Sequence, residues 1–132
     1  MVLRTYQEHR HNYYRAAFEH VLGRLYLGIV LREGQSGPRA VIRNLRFLLG
    51  SVPFAAKRAE RHLTRSIEVS REIGARCAEA QAVFDLGRLR HAKRRIPEAR
   101  RHFQRAIQLY EQIDAPCRLE SAREALAQLS EL

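Results

Sequence analysis

The sequence predicts an all-α fold, a superhelix of antiparallel helix pairs with one short inserted helix, and three observations carry that reading. Apolar residues recur at three-to-four spacing along the chain, the period of a helix with a buried face. Glycine and proline are sparse, 7 and 4 in 132 residues. They cluster at a few points that read as helix stops and starts, not as the turns of a β-fold. The chain also matches itself after a shift of forty residues, the signature of stacked helical units.

The first helix is expected from near Thr5 to Leu31 or Arg32, with Tyr13, Ala17, Val21, Leu22, Leu25, Ile29 and Val30 as its buried stripe. Glu33-Gly34-Gln35-Ser36-Gly37-Pro38 should end it, because glycine permits the C-cap geometry and Pro38 can open the next helix. A short helix over Arg39–Leu49 turns Val41, Ile42, Leu45, Leu48 and Leu49 inward. Gly50-Ser51-Val52-Pro53 repeats the stop-and-restart pattern. A third helix runs from about Pro53 to Ile73 on Ala56, Ala59, Leu63, Ile67 and Val69. Gly74 breaks it, and a fourth covers about Arg76–Lys93. Pro97 sits at the first position of a fifth helix reaching Ile113, and Asp114-Ala115-Pro116 turns into a sixth, about Cys117–Leu129.

The forty-residue shift lays Ala59-Glu60-Arg61-His62-Leu63 over Ala99-Arg100-Arg101-His102-Phe103 and Arg65-Ser66-Ile67 over Arg105-Ala106-Ile107. It also lays Ile73, Ala75, Cys77, Ala82, Leu86 and Leu89 over Ile113, Ala115, Cys117, Ala122, Leu126 and Leu129. At these residues the chain resembles the tetratricopeptide repeat (TPR) family. Leu86-Gly87 with Ala99, Phe103 and Ala106 matches its pattern, with Arg90 in place of the aromatic. Leu22-Gly23 with Tyr26 is a second copy, its other half displaced to Ala59, Leu63 and Ser66. Small residues let the two helices of a pair approach closely, and Phe or Leu fills the groove between neighbouring pairs.

The resemblance implies one right-handed superhelical domain over 1–132, with repeat one about 5–73 carrying the inserted helix 39–49. Repeat two is about 76–113, and a terminal helix covers 117–131. The stretches Arg43–Leu49 and Pro53–Glu60 further resemble the C-terminal TPR region of bacterial class III adenylate/guanylate cyclase proteins. Those carry a cyclase domain and an ATPase domain ahead of the repeats. The resemblance implies a cytoplasmic interaction or scaffold module, the tail or a stand-alone remnant of such a signalling protein. The chain has no Gly-x4-Gly-Lys-Ser/Thr loop and no paired metal-binding aspartates, so no nucleotide chemistry carries over.

Composition narrows the function classes. The longest apolar run, Leu25–Leu31, is far short of the ~20 residues that span a bilayer, and no signal-peptide pattern opens the chain. There are 24 basic against 14 acidic residues, a net charge of +10, which raises nucleic acid as the alternative partner. All basic side chains but Lys57, Lys93 and the histidines are arginine, and they are dispersed at helical positions. The dense run Arg88–Arg105 reads as a solvated helix face, with a docking surface for an anionic partner as the alternative.

No residue pattern calls for catalysis, a cofactor or a metal. His62 and His102 recur at one repeat position, which assigns them to the scaffold, and His9, His11, His20 and His91 lack partners at ligand spacing. Cys77 and Cys117 are equally repeat-related and read as small buried thiols. Glu68, Glu72, Glu79 and Asp85 each have an arginine within two turns, so exposed helix ion pairs account for them. By the TPR resemblance the inner face of the first helices forms a groove, which places His20, Arg24 and Leu27 in one repeat and Gln81, Phe84, Arg88 and His91 in the next. Phe84 and Arg88 stand where a carboxylate clamp carries Lys and Asn. The groove therefore suits an acidic or amphipathic helical segment of a protein partner, or it packs on a neighbouring domain of a longer parent. Leu22, Leu25 and Ile29 at one end, and Leu119, Leu126 and Leu129 at the other, are stripes in need of cover, so self-association, or a covalent partner domain in a longer parent, is a further expectation.

Overall fold

The computed structural model describes residues 2–35 and 45–130. They form five helices: α1 Val2–Gln35, α2 Leu45–Glu72, α3 Arg76–Ala92, α4 Ile96–Gln112 and α5 Pro116–Ser130. No strand occurs among them, as an all-α fold requires. None of the described helices is long and apolar enough to cross a membrane.

Contacts across each junction run in opposite chain directions, so successive helices are antiparallel. Gly23 faces Leu63 while Ala16 meets Ser66 across α1 and α2. Arg90 meets Glu98 while Glu79 meets Arg105 across α3 and α4. α1 also packs on α3, so the first helix touches both the second and the third. A continuous core runs through Leu27, Leu63, Ile67, Val83, Leu89 and Leu109, and Phe103 with Leu129 ties α4 to α5. Each such fully buried side chain contributes about 1.5–3 kcal/mol.

The turns after α2, α3 and α4 are copies of one another. Gly74, Arg94 and Asp114 stand twenty residues apart, and all three have positive φ, at 70°, 59° and 52°. The following amide donates six-to-one in each: Ala75 to Ser70, Arg95 to Arg90, Ala115 to Tyr110. Gly74 and Arg94 also donate to Arg71 and His91, completing the Schellman pattern that closes a helix C-terminus. The next helix then opens on a bond back to Ala75, Arg95 or Ala115. A forty-residue unit is thus two helices and two joints that share the left-handed residue and the six-to-one bond, which is the physical content of the self-match.

Glycine is required at two further positions. A Cβ on Gly23 would lie 2.7 Å from the Leu63 side chain, and one on Gly87 would lie 2.7 Å from the Phe103 ring. Both helix pairs therefore approach at the Leu-Gly step, where the sequence expected small residues.

Several expectations need correction. Helix α1 starts earlier, at Val2, and runs on through Gly34 to Gln35. The break at Gly50–Pro53 does not exist: α2 is continuous through Pro53, and the part of the inserted helix at 45–49 is its first turn. The remainder, Arg39–Asn44 with Val41 and Ile42, lies outside the described residues. A proline in a helix interior costs about 3 kcal/mol. Here Ala55, Ala56, Ala59 and Leu63 are buried immediately beyond it, and that packing offsets the lost bond.

The buried face of α1 is also not the expected one. Ala16, Glu19, His20, Gly23, Leu27 and Val30 point inward, whereas Tyr13, Ala17, Val21, Leu25 and Ile29 are exposed. Both faces carry apolar residues, so periodicity cannot choose between them; the small Ala16 and Gly23 admit the neighbouring helix and decide it.

Candidate functional site

A cavity of about 170 Å³ opens where α1, α3, α4 and α5 converge. α1 supplies His20 and Arg24, α3 supplies Gln81, Phe84, Asp85 and Arg88, α4 supplies Tyr110, and α5 supplies Arg118 and Ser121. Helical spacing explains the grouping: Gln81, Phe84, Asp85 and Arg88 sit three or four apart and share one face of α3.

Asp85 is the electrostatic centre. It is 4% exposed, and a buried carboxylate needs charged or hydrogen-bonded partners to remain ionised. His20 Nε2 lies 2.8 Å from its Oδ2 and Arg24 Nε 3.6 Å from the same oxygen. Arg88 Nη1 donates to Oδ1 at 3.2 Å. Beside this group the phenol of Tyr110 has its pKa raised, chiefly by burial and also by Asp85, while a hydrogen bond from Arg118 opposes the shift. With its amide oxygen turned toward α5, Gln81 accepts from Arg118 Nη2 at 3.1 Å. Arg24 and Arg88 thus pair with Asp85 while Arg118 meets Tyr110 and Gln81, and the cavity is cationic with Phe84 and Tyr110 as its aromatic walls.

Of the seven groove residues expected from sequence, His20, Arg24, Gln81, Phe84 and Arg88 come together here. Leu27 does not: it is 1% exposed and belongs to the core between α1 and α2. His91 lies one turn beyond Arg88, half-buried, and does not line the cavity. Asp85, Tyr110, Arg118 and Ser121 were not anticipated as lining. Ser121 had a signal, because it is the forty-residue equivalent of Gln81. Asp85 had none, since its histidine partner is 65 residues away.

Other polar groups also depart from the sequence reading. Asp85 and Glu79 are buried rather than exposed, and Glu79 holds Arg71 at 2.7 Å and Arg105 at 3.6 Å across two helices. Arg90 is not on a solvated face: its side chain is 12% exposed and pairs with Glu60 of α2 and Glu98 of α4. Cys77 and Cys117 are exposed free thiols, not buried ones, because each stands in the first turn of its helix on the solvent side. Among the described residues no three His, Cys, Asp or Glu side chains cluster as metal ligands would. Comparisons with protein-family models, with curated proteins and with solved structures found no match.

Proposed function

We propose that this chain is a non-catalytic, TPR-type interaction module whose cavity receives an acidic side chain from an amphipathic helical segment of a protein partner. The observation that carries the reading is that Arg24, Arg88 and Arg118 line one cavity whose lining holds a single carboxylate, Asp85, paired with the first two. Three cationic side chains then share one acidic one. A guanidinium offers paired donors to a carboxylate, and Phe84 beside it supplies an apolar anchor. Apart from Tyr110 of α4, the lining comes from α1, α3 and α5, the first helices of successive pairs, which is where a TPR groove lies. The repeated turns and the two Leu-Gly contacts support the repeat reading itself. On this reading the chain serves as the interaction part of a bacterial cyclase/ATPase-type signalling protein and works in the cytoplasm.

Dispersal of the other arginines supports a protein partner over a nucleic acid. Arg71, Arg90, Arg105 and Arg123 engage carboxylates of this same chain, whereas duplex binding needs cations free to reach successive phosphates.

An array of amphipathic helical peptides with glutamates at the edge of the apolar face, and lysines in the control set, tests the proposal. Glutamate peptides should bind and lysine peptides should not. Arg118→Ala, at an exposed residue, should weaken that binding by about 1–3 kcal/mol if the pair is desolvated while leaving the helical circular dichroism unchanged. Equal binding of both sets, or of neither, overturns the reading.

A further inference from the structure

The cavity between α1, α3, α4 and α5 carries a charge imbalance that a carboxylate only half answers. Its lining holds three arginines against one aspartate, so two positive charges stand in excess with His20 neutral. A glutamate or aspartate side chain brings one negative charge. A phosphomonoester brings about −1.5 to −2 at pH 7, spread over three strong acceptor oxygens. The larger charge is the one that matches.

Burial orders these groups from the inside out. The Asp85 side chain is 6% exposed, whereas that of Arg88 is 39% exposed and that of Arg24 62%, and Arg118 is exposed as well. The carboxylate therefore backs the guanidiniums, and an anion arriving from solvent meets the cations first. Arg24 faces Asp85 through Nε and Arg88 through Nη1, so each five-donor guanidinium keeps further N–H groups for a ligand. Arg118 is held by neutral groups, the Gln81 amide and the Tyr110 phenol. That phenol has its pKa raised by burial and stays protonated; its oxygen accepts from Arg118 and its hydrogen is left to donate. The three arginines stand on α1, α3 and α5, so donors converge from three helices. One guanidinium fork satisfies a planar carboxylate, whereas three converging forks suit a tetrahedral group with three oxygens.

We propose that the side chain this cavity takes from its protein partner is a phosphoserine or phosphothreonine, so that phosphorylation of the partner switches the contact on. This rests on the cavity receiving an acidic side chain, as proposed above, and narrows that side chain to a phosphomonoester dianion. A phosphodiester carries one negative charge, no more than a carboxylate, so the same imbalance disfavours a nucleic-acid backbone.

Isothermal titration calorimetry of the full chain at about pH 7.5, above the second phosphate pKa of about 6, tests it. One amphipathic helical peptide carries serine, glutamate, sulfoserine or phosphoserine at a single position. Phosphoserine should bind at least about ten-fold more tightly than glutamate. Sulfoserine keeps the three oxygens with a single charge and should fall near glutamate, with serine weakest. Arg118→Gln and Arg24→Gln, at exposed residues, should each shrink the ratio of phosphoserine to glutamate affinity toward one, a readout that partial loss of folded protein does not move. Inorganic phosphate, lacking the apolar contact at Phe84, should bind at least about ten-fold more weakly than the phosphoserine peptide. Glutamate binding with no phosphoserine advantage overturns this proposal and leaves the acidic-segment reading in place, whereas no binding by any anionic peptide overturns both. Sulfoserine as tight as phosphoserine overturns it too, since charge then does not select. Inorganic phosphate as tight as the phosphopeptide gives the cavity to a free anion, and an oligonucleotide tighter than the phosphopeptide gives it to nucleic acid; either result overturns the phosphorylated partner.

Discussion

The first helix pair, α1 with α2, and the second, α3 with α4, bring equivalent positions together and fill them with different chemistry. Gly23 admits Leu63 in one and Gly87 admits Phe103 in the other, at the same 2.7 Å from the missing Cβ. Around that shared step the first pair is polar. His62 stacks on Tyr26 with centroids 5.8 Å apart and rings within 4° of parallel, and its Nδ1 meets the buried Glu19. Ser66 donates to the Ala16 carbonyl at 2.9 Å. In the second pair Val83 and Ala106 occupy the positions of Glu19 and Ser66, and Phe103 packs on Phe84 at 5.5 Å. Two polar groups stand there, His102 at the position of His62 and Arg90 in place of Tyr26, and Arg90 reaches back to Glu60 of the first pair. Close backbone approach is therefore the invariant of the repeat. The filling around it follows the neighbours: hydrogen-bonded groups beside α1, and apolar burial where α5 adds a third wall.

That comparison can be broken most sharply at Phe103. Its ring contacts Gly87, Phe84 and Leu129, so Phe103→Ala should cost about 3–5 kcal/mol in urea unfolding through the cavity it leaves. Leu63→Ala at the equivalent position should cost about 2–5 kcal/mol and should leave the α4–α5 junction intact. If Leu63→Ala instead frees α5, the two pairs are not separate packing units.

A smaller effect is expected at the glycines. A methyl on Gly23 meets not only the Leu63 side chain but its backbone nitrogen, 3.2 Å away, so α1 and α2 have to part. A methyl on Gly87 meets ring carbons of Phe103 and, at 3.2 Å, Cβ of His102. Both changes should cost about 1–3 kcal/mol through overpacking. Trimming Phe103 to Leu should rescue the part of the Gly87→Ala loss that the ring causes and leave the part due to the His102 Cβ. Melting temperatures of Gly87→Ala with and without Phe103→Leu check it, and no recovery would show that the ring is not what the methyl meets.

The smallest effect is a pH dependence confined to the second pair. His102 has its pKa lowered by burial first and by the neighbouring Arg90 next. The unfolded chain then takes up the proton at a higher pH than the folded one. Stability is therefore fully present above about pH 6.5 and falls as the pH drops from there through the folded value. His102→Gln should flatten the part of the acid-induced fall in melting temperature that this residue causes. An unchanged acid limb would show that the half-buried imidazole contributes nothing.

Legibility in the sequence follows the same division. From Gly74 onward the helix limits were readable to within a residue or two, because Gly74, Pro97 and Pro116 stand where helices stop and start. Arg94 and Asp114 hold a left-handed conformation without being glycine, and Pro97 and Pro116 just beyond them mark those two joints instead. The first pair was harder. Gly50 and Pro53 look like punctuation but lie inside α2, where packing further along overrides the local cost. α1 is apolar on both sides, so the inward choice depended on Ala16 and Gly23 rather than on the large residues. Five of the cavity residues were found from repeat position alone, whereas Asp85 was not: its role depends on His20 and Arg24 arriving from another helix.

The recurring joints have a consequence for how such a chain changes length. The six-to-one bond and the bond that opens the next helix are found after both Gly74 and Asp114, so a forty-residue piece begins and ends at like seams. Duplicating or deleting such a piece rejoins like with like and keeps every later helix in phase. An insertion of one residue inside a helix turns all that follows by about 100° and carries a buried stripe into water. Growth by whole-unit duplication is the path this backbone accommodates, and each added unit brings one more copy of the position held by Gln81 and Ser121. The number of units sets the length of the lining, and the side chain at that recurring position varies from Gln81 to Ser121 between them.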